Sequence, residues 1–363
     1  MNIKLIKALD AVIGTMATSV IPSPVRRELT IPVTSILLIR PGGIGDAVLL
    51  APAIHAIRKS YPDIHITVLA ERRNSGVFPL IPGINRLLCY DHPRELLQVL
   101  RCSYDAVIDT EQWHRLSAVV ARCASAYVRI GFATNQRKRM FTHTVSYSHD
   151  EYEALSFAHL LEPLAIERSS VSQETPFLSV QHAAVLTADE LLQSMNDRPF
   201  VTIFPGASIS ERQWGGERFR TVADRLSDHG FGIVVTGGKE DRTQADMITH
   251  DRKWLNLAGL TSLQETAAVI QKSALLVSGD SGVLHIAVGL DIPTVSLFGP
   301  GRSKKWAPQG ENHIVLNKEI ACSPCTTFGT TPACPHNVQC MRDIGVDEVS
   351  SAAVTLLQRL NVT

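Results

Sequence analysis

The stretch that most constrains the fold runs from Leu275 to Pro300 and has the pattern of a strand, a polar turn, a short helix and a second strand. Its Gly-Asp-Ser-Gly turn, residues 279–282, lets the helix point its unpaired N–H groups back over the strand end. Because these amides and the positive end of the helix dipole favour phosphate oxygens, the pattern predicts a diphosphate site, to which His285 adds a donor. The alternative is an ordinary capped helix, since Ser or Asp commonly precedes one.

A second stretch, residues 35–58, has the same order of apolar strand, glycine turn and helix. Its turn contains Gly42, Gly43 and Gly45 and ends in Asp46. A carboxylate at the beginning of a helix would repel a phosphate, whereas the helix dipole keeps it ionised and able to accept a proton. The glycine spacing also differs from the G-x-G-x-x-G dinucleotide fingerprint. This turn therefore predicts a general base.

Strand and helix patterns alternate through both halves of the chain, which is typical of parallel α/β sheets. With 363 residues, of which 45% are hydrophobic and 19% charged, the chain is long enough for two domains. We predict an N-terminal extension over residues 1–33, a first domain over 34–180, a second domain over 198–345 and a C-terminal helix over 346–363.

The charge balance and the cysteine count narrow the class of protein. The 35 basic residues equal the 35 acidic ones, whereas a nucleic-acid binder normally shows a basic excess, so no nucleic-acid partner is expected. The chain has no run of 18 uncharged apolar residues and no signal-peptide cleavage pattern. Seven cysteines, an odd number, fit a reducing compartment. We expect a cytoplasmic protein.

An amphipathic helix is predicted over residues 2–21. Its apolar face carries Leu5, Leu9, Val12, Met16 and Val20, with Lys4 and Lys7 beside it. Such a face must be covered, either by the protein's own surface or by a membrane surface. The second case would make the protein peripheral on the inner face of the cytoplasmic membrane.

The second half contains two further turns at predicted strand ends. The strand 200–204 runs into Pro-Gly-Ala-Ser at 205–208, and Arg212 follows where the ligand crevice of an open α/β sheet is expected. The next strand leads into Gly-Gly-Lys-Glu-Asp at 237–241, where a carboxylate is well placed to accept hydrogen bonds from a ribose. A surface arginine is the alternative interpretation of Arg212.

Four cysteines lie within nineteen residues near the C-terminus, at Cys322, Cys325, Cys334 and Cys340. Thiolates in such a cluster suit a zinc or iron ion. The first pair has a standard ligand spacing, but the remaining spacings match no common zinc module. Two interpretations stay open, a structural zinc or iron ion and four free buried cysteines.

Several segments together resemble glycosyltransferase family 9, the ADP-heptose:lipopolysaccharide heptosyltransferases of Gram-negative bacteria. They are ILLIRPGGIGDAVLLAPAI, PGAS followed by RQW, GG-x-x-D, NLAGLTSL, and SGDSGVLHIA followed by PTVSLFGP. The resemblance covers roughly residues 35–358. It implies the GT-B architecture, an α/β fold of two facing Rossmann-like domains with a central cleft.

The resemblance also implies roles for individual residues. Asp46 takes the position of the family's catalytic aspartate, behind an acceptor-side loop of Gly42, Gly43 and Gly45. The donor-binding positions are Ser208, Arg212, Asp241, Leu260, Asp280, Ser281, Gly282 and His285. Arg212 replaces a lysine and Asp241 a glutamate, so the charges are kept while the geometry changes. Leu260 takes the position of an apolar residue beside adenine.

The implied function is inverting transfer of a heptose from ADP-heptose to the lipopolysaccharide inner core. Asp46 would take the proton of an acceptor hydroxyl while that oxygen attacks the anomeric carbon and ADP leaves from the opposite face. Helix amides, Arg212 and His285 would stabilise the charge on the diphosphate, so catalysis would require no metal cofactor.

Three other interpretations stay open. The first is a transferase of the same fold with another nucleotide sugar or a protein acceptor. The second is a sugar-nucleotide epimerase of the same architecture, which would not need the Asp46 turn. The third is a non-catalytic sugar-nucleotide-binding protein, against which the presence of Asp46 argues.

Overall fold

The computed structural model describes residues 10–196 and 198–361. The chain forms two compact units, the first ending at Glu174 and the second beginning at Thr175. Each unit contains one six-stranded sheet in which all neighbouring strands are parallel. The predicted α/β fold class is confirmed. Among the described residues, no helix has the length and apolar composition needed to cross a membrane.

The sheet of the first unit is centred on a strand that is buried on both faces. Its strands are β1 (Ser35–Arg40), β2 (His65–Ala70), β3 (Arg86–Cys89), β4 (Ser103–Asp109), β5 (Ser125–Phe132) and β6 (His143–Val145). The α-helices of this unit are Thr15–Val20, Ile44–Leu49, Ala51–Ser60, Arg72–Ser75, Pro93–Arg101, Arg115–Cys123 and Glu153–His159. In β1, residues 36–39 are almost inaccessible, as expected for a parallel strand with helices on both faces.

The second unit repeats this plan. Its strands are β7 (Phe200–Phe204), β8 (Gly232–Val235), β9 (Leu255–Asn256), β10 (Leu275–Gly279), β11 (Thr294–Phe298) and β12 (His313–Asn317). Its α-helices are His182–Leu192, Gly216–Asp228, Arg242–Thr249, Leu263–Gln271, Gly282–Gly289, Ser303–Trp306, Gln339–Arg342 and Val346–Arg359. The last of these packs on this unit's own core through Val349, Ala353, Leu356 and Leu357.

The two sheets have the same strand order. The first is β3-β2-β1-β4-β5-β6 and the second, read from its other edge, is β9-β8-β7-β10-β11-β12. In an open parallel sheet of this order, ligands bind beyond the carboxyl ends of the strands where the order reverses. That point lies between β1 and β4 in the first unit and between β7 and β10 in the second. The turns that carry Asp46 and Asp280 follow β1 and β10.

The N-terminal segment packs on the first unit through small and polar residues. A π-helical turn, Asp10–Gly14, continues into the helix Thr15–Val20, while residues 2–9 of the predicted helix lie outside the described residues. The side chains of Val12, Met16 and Val20 are 61%, 64% and 81% exposed. The interpretation that the protein's own surface covers this apolar face is therefore wrong for its described part.

Contacts on the opposite face of this segment explain why its apolar side chains point away from the first unit. Asp10 Oδ1 accepts hydrogen bonds from the backbone N–H groups of Arg115 and Leu116, both at 2.7 Å, and so caps the helix Arg115–Cys123. A Cβ on Gly14 would lie 2.9 Å from the Cβ of Arg115, so the close approach needs glycine.

Candidate active site

The glycine turn after β1 places Asp46 in the first turn of the helix Ile44–Leu49. Gly42 has φ +106°, which favours glycine, and a Cβ there would lie 3.0 Å from Arg40 Nη2, a tight contact. Gly43 precedes the helix, and Gly45 lies within it. The Asp46 side chain is 21% exposed. It therefore remains accessible to a substrate while it lies at the positive end of a helix.

Arg40, the last residue of β1, is fully buried beside Asp46. Its Nη2 atom lies 3.6 Å from Asp46 Oδ2 and 3.2 Å from Glu111 Oε2. Its Nε and Nη1 atoms donate to the carbonyl oxygens of Pro41 and Thr110 at 2.7 and 2.9 Å. These contacts fix the guanidinium in one orientation, and Arg40 therefore positions a permanent positive charge next to the Asp46 carboxylate.

Glu111 follows β4 and is the buried carboxylate of this cluster. Burial alone would raise the pKa of Glu111, but the Arg40 guanidinium lowers it below its usual value. Glu111 Oε1 also accepts the backbone N–H groups of Trp113 and His114, at 3.1 and 3.2 Å. Glu111 thus stays ionised and anchors the same Arg40 nitrogen that lies beside Asp46.

Two further buried groups surround the cluster. Glu153 accepts hydrogen bonds from Gln112 Nε2 at 2.5 Å and from the Tyr147 hydroxyl at 3.0 Å. Burial, and then the charge of Glu153, raises the pKa of Tyr147, so the phenol keeps its proton and donates. At the end of β4, Asp109 forms a fully buried ion pair of 2.6 Å with Arg137.

Three residues of this cluster were not predicted from the sequence: Arg40, Glu111 and Glu153. Arg40 lies directly before the glycine turn, and Glu111 lies two residues beyond β4, the neighbour of β1. Both positions follow from the rule that ligand sites form at carboxyl ends of strands where the order reverses, once the strand order is known. Glu153 begins a helix far along the chain, and no local pattern indicates it.

In the second unit, the turn after β10 brings several predicted donor-binding residues together. Asp280 Oδ2 lies 2.9 Å from Arg212 Nη1, and both side chains are largely buried. Ser281 Oγ accepts the N–H of Leu284 at 3.3 Å and lies 2.9 Å from Ser278 Oγ. Gly282 begins the helix Gly282–Gly289. Ser281 is therefore an N-cap, as expected for an ordinary capped helix. The other amides of this helix end are still suited to an anion.

The Arg212–Asp280 pair determines the electrostatics of this turn. The two charges neutralise each other, so a diphosphate would compete with Asp280 for the guanidinium. His285, one turn into the helix, is buried at 2% exposure. A Cβ on Gly301 would lie 2.0 Å from Asp280 Oδ2, so the loop after β11 needs glycine to approach this carboxylate.

The predicted nucleoside end of the site is built from three turns of the same unit. Asp241 Oδ2 accepts the N–H of Gly238 at 2.8 Å, and a Cβ on Gly206 would lie 2.4 Å from the Asp241 carboxyl carbon. Burial raises the pKa of Asp241. Leu260 is 59% exposed at the turn after β9. Asp241 thus ties the turn after β8 to the turn after β7.

Two exposed polar residues belong to these same turns. Ser208 is exposed in the turn after β7. Glu240, which the sequence analysis did not single out, is exposed beside the buried Asp241. A carboxylate that is exposed at this turn has the accessibility that a ribose contact needs.

The cysteine segment lies against the loop that follows β11. The backbone N–H groups of Cys325 and Thr326 donate to the carbonyl oxygen of Pro300 at 3.1 and 2.9 Å, and Ser323 Oγ donates to Gly299 O at 2.6 Å. Burial and neighbouring thiols raise the pKa of Cys325, and burial also raises that of Cys340.

The described structure does not bring these cysteine side chains together as a metal centre. The cysteines at 322, 325, 334 and 340 are free thiols. Within residues 10–196 and 198–361, no group of three or more His, Cys, Asp or Glu side chains is placed to hold a metal ion. A structural zinc or iron ion at this cluster stays a prediction.

Two Rossmann-ordered α/β units, one with a carboxylate turn and the other with a phosphate-type turn, agree with the predicted GT-B fold. The chain belongs to glycosyltransferase family 9 (heptosyltransferase), which matches residues 94–334. It is therefore a glycosyltransferase, as the sequence predicted.

Named relatives agree with this assignment. The chain is 28% identical to lipopolysaccharide heptosyltransferase 3 of Escherichia coli over 293 residues, which cover 74% of this chain and 84% of that protein. It is 24% identical to lipooligosaccharide heptosyltransferase 2 of Campylobacter jejuni over 332 residues, covering 88% and 97%. The solved structure of E. coli ADP-heptose lps heptosyltransferase II has a TM-score of 0.74 at 20% identity, covering 90% of this chain and 100% of that one.

Proposed function

We propose that this protein transfers a heptose from ADP-heptose to the inner core of lipopolysaccharide with inversion at the anomeric carbon. The observation that carries the proposal is Asp46, an accessible carboxylate at a helix N-terminus beside the buried Arg40. The named relatives, which are lipopolysaccharide and lipooligosaccharide heptosyltransferases, support the choice of sugar and acceptor.

In this proposal the first unit is the acceptor-binding domain. Asp46 acts as the general base that removes the proton of the acceptor hydroxyl as it attacks. Arg40 acts through Asp46 as a positioning residue, because its guanidinium is fixed by backbone carbonyls and by Glu111. The loop of Gly42, Gly43 and Gly45 leaves room for the acceptor beside the carboxylate.

The second unit is the proposed donor-binding domain. Arg212 exchanges Asp280 for the diphosphate, and the amides at the beginning of the helix Gly282–Gly289, with Ser281 and His285, stabilise the charge that develops on ADP. Ser208, exposed in the turn after β7, adds a hydroxyl donor.

The nucleoside is the remaining part of the donor. Leu260 provides the apolar contact for adenine. Asp241 is the predicted ribose contact, and we add Glu240 as a second candidate, because it is exposed where Asp241 is buried and bonded to Gly238. The two differ by one methylene and by accessibility, so variants of each distinguish them.

We also propose that the transfer needs no divalent ion. The positive charge of Arg212 and the amide donors of a helix N-terminus supply the stabilisation that a metal supplies in other transferases. A structural metal at the cysteine segment would not enter the reaction, because thiolates suit soft ions whereas a diphosphate is normally neutralised by magnesium or manganese on oxygen ligands.

The proposed location is the cytoplasm, in peripheral contact with the inner face of the cytoplasmic membrane. The acceptor is carried on a lipid, so an enzyme that acts on it works at a membrane surface. We propose no nucleic-acid partner, in line with the zero formal net charge.

The test is a transfer assay with purified protein, ADP-heptose and a heptose-deficient lipopolysaccharide core. We expect release of ADP together with addition of one heptose of inverted anomeric configuration, measured by mass spectrometry and NMR. ADP-glucose in place of ADP-heptose, and a protein acceptor in place of the core, are the matched arms. Transfer only in one of those arms would contradict the proposal in favour of another sugar or a protein acceptor.

A further inference from the structure

We propose that residues 10–25 form a docking surface for an anionic phospholipid membrane. We call this segment, a helix followed by an extended stretch, the N-terminal segment. Five of its large apolar side chains are exposed, Val12, Ile13, Met16, Val20 and Val25, by 50% to 81% of their surface. Apolar area of this density on a single short element is typical of an interaction surface.

The apolar side chains face outwards because the other face of the segment is fixed to the first unit. Asp10 caps the helix Arg115–Cys123 with two hydrogen bonds of 2.7 Å, and Thr18 is fully buried. Further along, Arg139 Nη1 donates to Ser19 O at 3.1 Å. The exposed face is thus held in place by contacts on the buried one, and the segment presents its apolar residues as a fixed stripe.

The charges around this stripe decide what binds to it. Residues 11–25 contain no charged side chain, and Asp10 is buried. The rim is basic. By rim we mean the basic residues that contact the segment, Arg122 and Arg139, and those that adjoin these contacts or the segment in sequence, Lys138, Arg26 and Arg27, with Glu28 as the acidic neighbour in sequence. Arg122 is joined to the segment by a hydrogen bond of 3.3 Å from its Nε to Pro22 O.

An apolar stripe with a basic rim is the pattern of an element that lies in the interface of an anionic membrane. The apolar side chains enter the boundary between headgroups and acyl chains, while the arginines meet lipid phosphates. A second copy of the chain fits less well, because a two-fold contact would bring the two basic rims together. The proposed occupant is therefore the membrane.

This inference rests on one element of the proposed function, the peripheral contact with the membrane, and names the surface that makes this contact. Its test needs no sugar or acceptor. The full chain is mixed with vesicles of phosphatidylglycerol and phosphatidylcholine, or of phosphatidylcholine alone, and the bound fraction is measured by flotation. We expect at least about tenfold stronger partitioning to the anionic vesicles, and a loss of this preference at high salt.

The variant Met16→Glu/Val20→Glu tests the apolar stripe. It should lower partitioning to anionic vesicles by about tenfold or more, because it places two carboxylates against the lipid surface. Leu186→Glu, on an exposed site of the helix His182–Leu192 in the second unit, is the matched control and should bind like the wild type within about twofold. Met16→Ser/Val20→Ser repeats the test without added charge.

Three results would overturn the inference. The first is a wild type that does not bind anionic vesicles, and the second is equal binding by the wild type and both double variants. The third is a wild-type dimer in light scattering that the double variants convert to monomer, which would assign the stripe to self-association. Transfer to a soluble, delipidated core should be unchanged in Met16→Glu/Val20→Glu, so failed docking and failed catalysis give different readouts.

Discussion

The two units have the same strand order, yet the residues that follow the two strands at the point of order reversal, β1 and β4 in one unit and β7 and β10 in the other, differ in charge. In the first unit, the carboxylates of Asp46 and Glu111 share the single guanidinium of Arg40. In the second, Arg212 and Asp280 balance one another at the beginning of a helix. The fold therefore determines where a site forms, and the residues of the turn determine whether it accepts a proton or holds an anion.

The largest expected effect concerns the buried charge of the first unit. Arg40→Met leaves the Glu111 carboxylate buried without its guanidinium, which costs roughly 3–5 kcal/mol of unfolding free energy for a pair of this kind. Arg40→Met/Glu111→Gln should recover much of that loss, since residue 111 then carries no buried charge. Denaturant unfolding measures both. Equal stability of Arg40→Met and the wild type would show that this pair is not what holds the turn.

The next effect concerns proton transfer. Asp46→Asn is nearly isosteric, so the turn should stay intact while kcat falls by about a hundredfold or more, the usual contribution of a general base. Steady-state kinetics with a saturating donor measure it, and a thermal melt within a few degrees of the wild type serves as the folding control. A variant with full activity would remove Asp46 from the mechanism.

A smaller effect is expected at the phosphate-type turn of the second unit. Arg212→Ala should weaken ADP binding by about tenfold, in line with the loss of one charge-assisted contact. Arg212→Lys should restore much of the affinity if the charge matters more than the planar fork. Should all three proteins bind ADP equally well, Arg212 would be a bystander.

A still smaller effect on ADP binding is expected at the ribose contact, for which Glu240 and Asp241 are the two candidates. If Glu240 is the contact, Glu240→Gln should weaken ADP binding by a few fold, about 1 kcal/mol for one hydrogen bond. Asp241→Asn should then mainly lower stability, because Asp241 is bonded to the turn itself. Calorimetric titration of ADP and thermal melts assign the two roles, and the reverse pattern would return the ribose to Asp241.

No change is expected from chelation on the timescale of an assay. Turnover should persist in excess EDTA, because no step of the proposed reaction uses a divalent ion. Prolonged chelation would lower the melting temperature only if the cysteine segment holds a structural ion, and elemental analysis of the purified protein tests this directly. Immediate loss of turnover with rescue by magnesium would refute the proposed leaving-group stabilisation.

Local patterns predicted the fold class and the turn that carries Asp46, because strand, turn and helix are adjacent in sequence. They did not predict the cluster of Arg40, Glu111 and Glu153. These residues are far apart along the chain, and only the pairing of β1 with β4 and the packing of a later helix bring them together.

The N-terminal segment shows a second limit of sequence patterns. Periodicity correctly groups Val12, Met16 and Val20, but it does not reveal which face the protein covers. The covered face is set by Asp10, Gly14 and Thr18. Asp10 caps a helix of the first unit, Gly14 allows close approach, and Thr18 is buried. Such contacts leave no hydrophobic signal in the sequence.

Titration of ADP into the wild type, Asp46→Asn, Arg212→Ala and the double variant tests the division of roles between the units most directly. We expect Asp46→Asn to bind ADP like the wild type within about twofold, and the double variant to match Arg212→Ala. If Asp46→Asn weakens ADP binding as much as Arg212→Ala does, the carboxylate turn belongs to the donor site and the assignment of proton transfer to the first unit is contradicted.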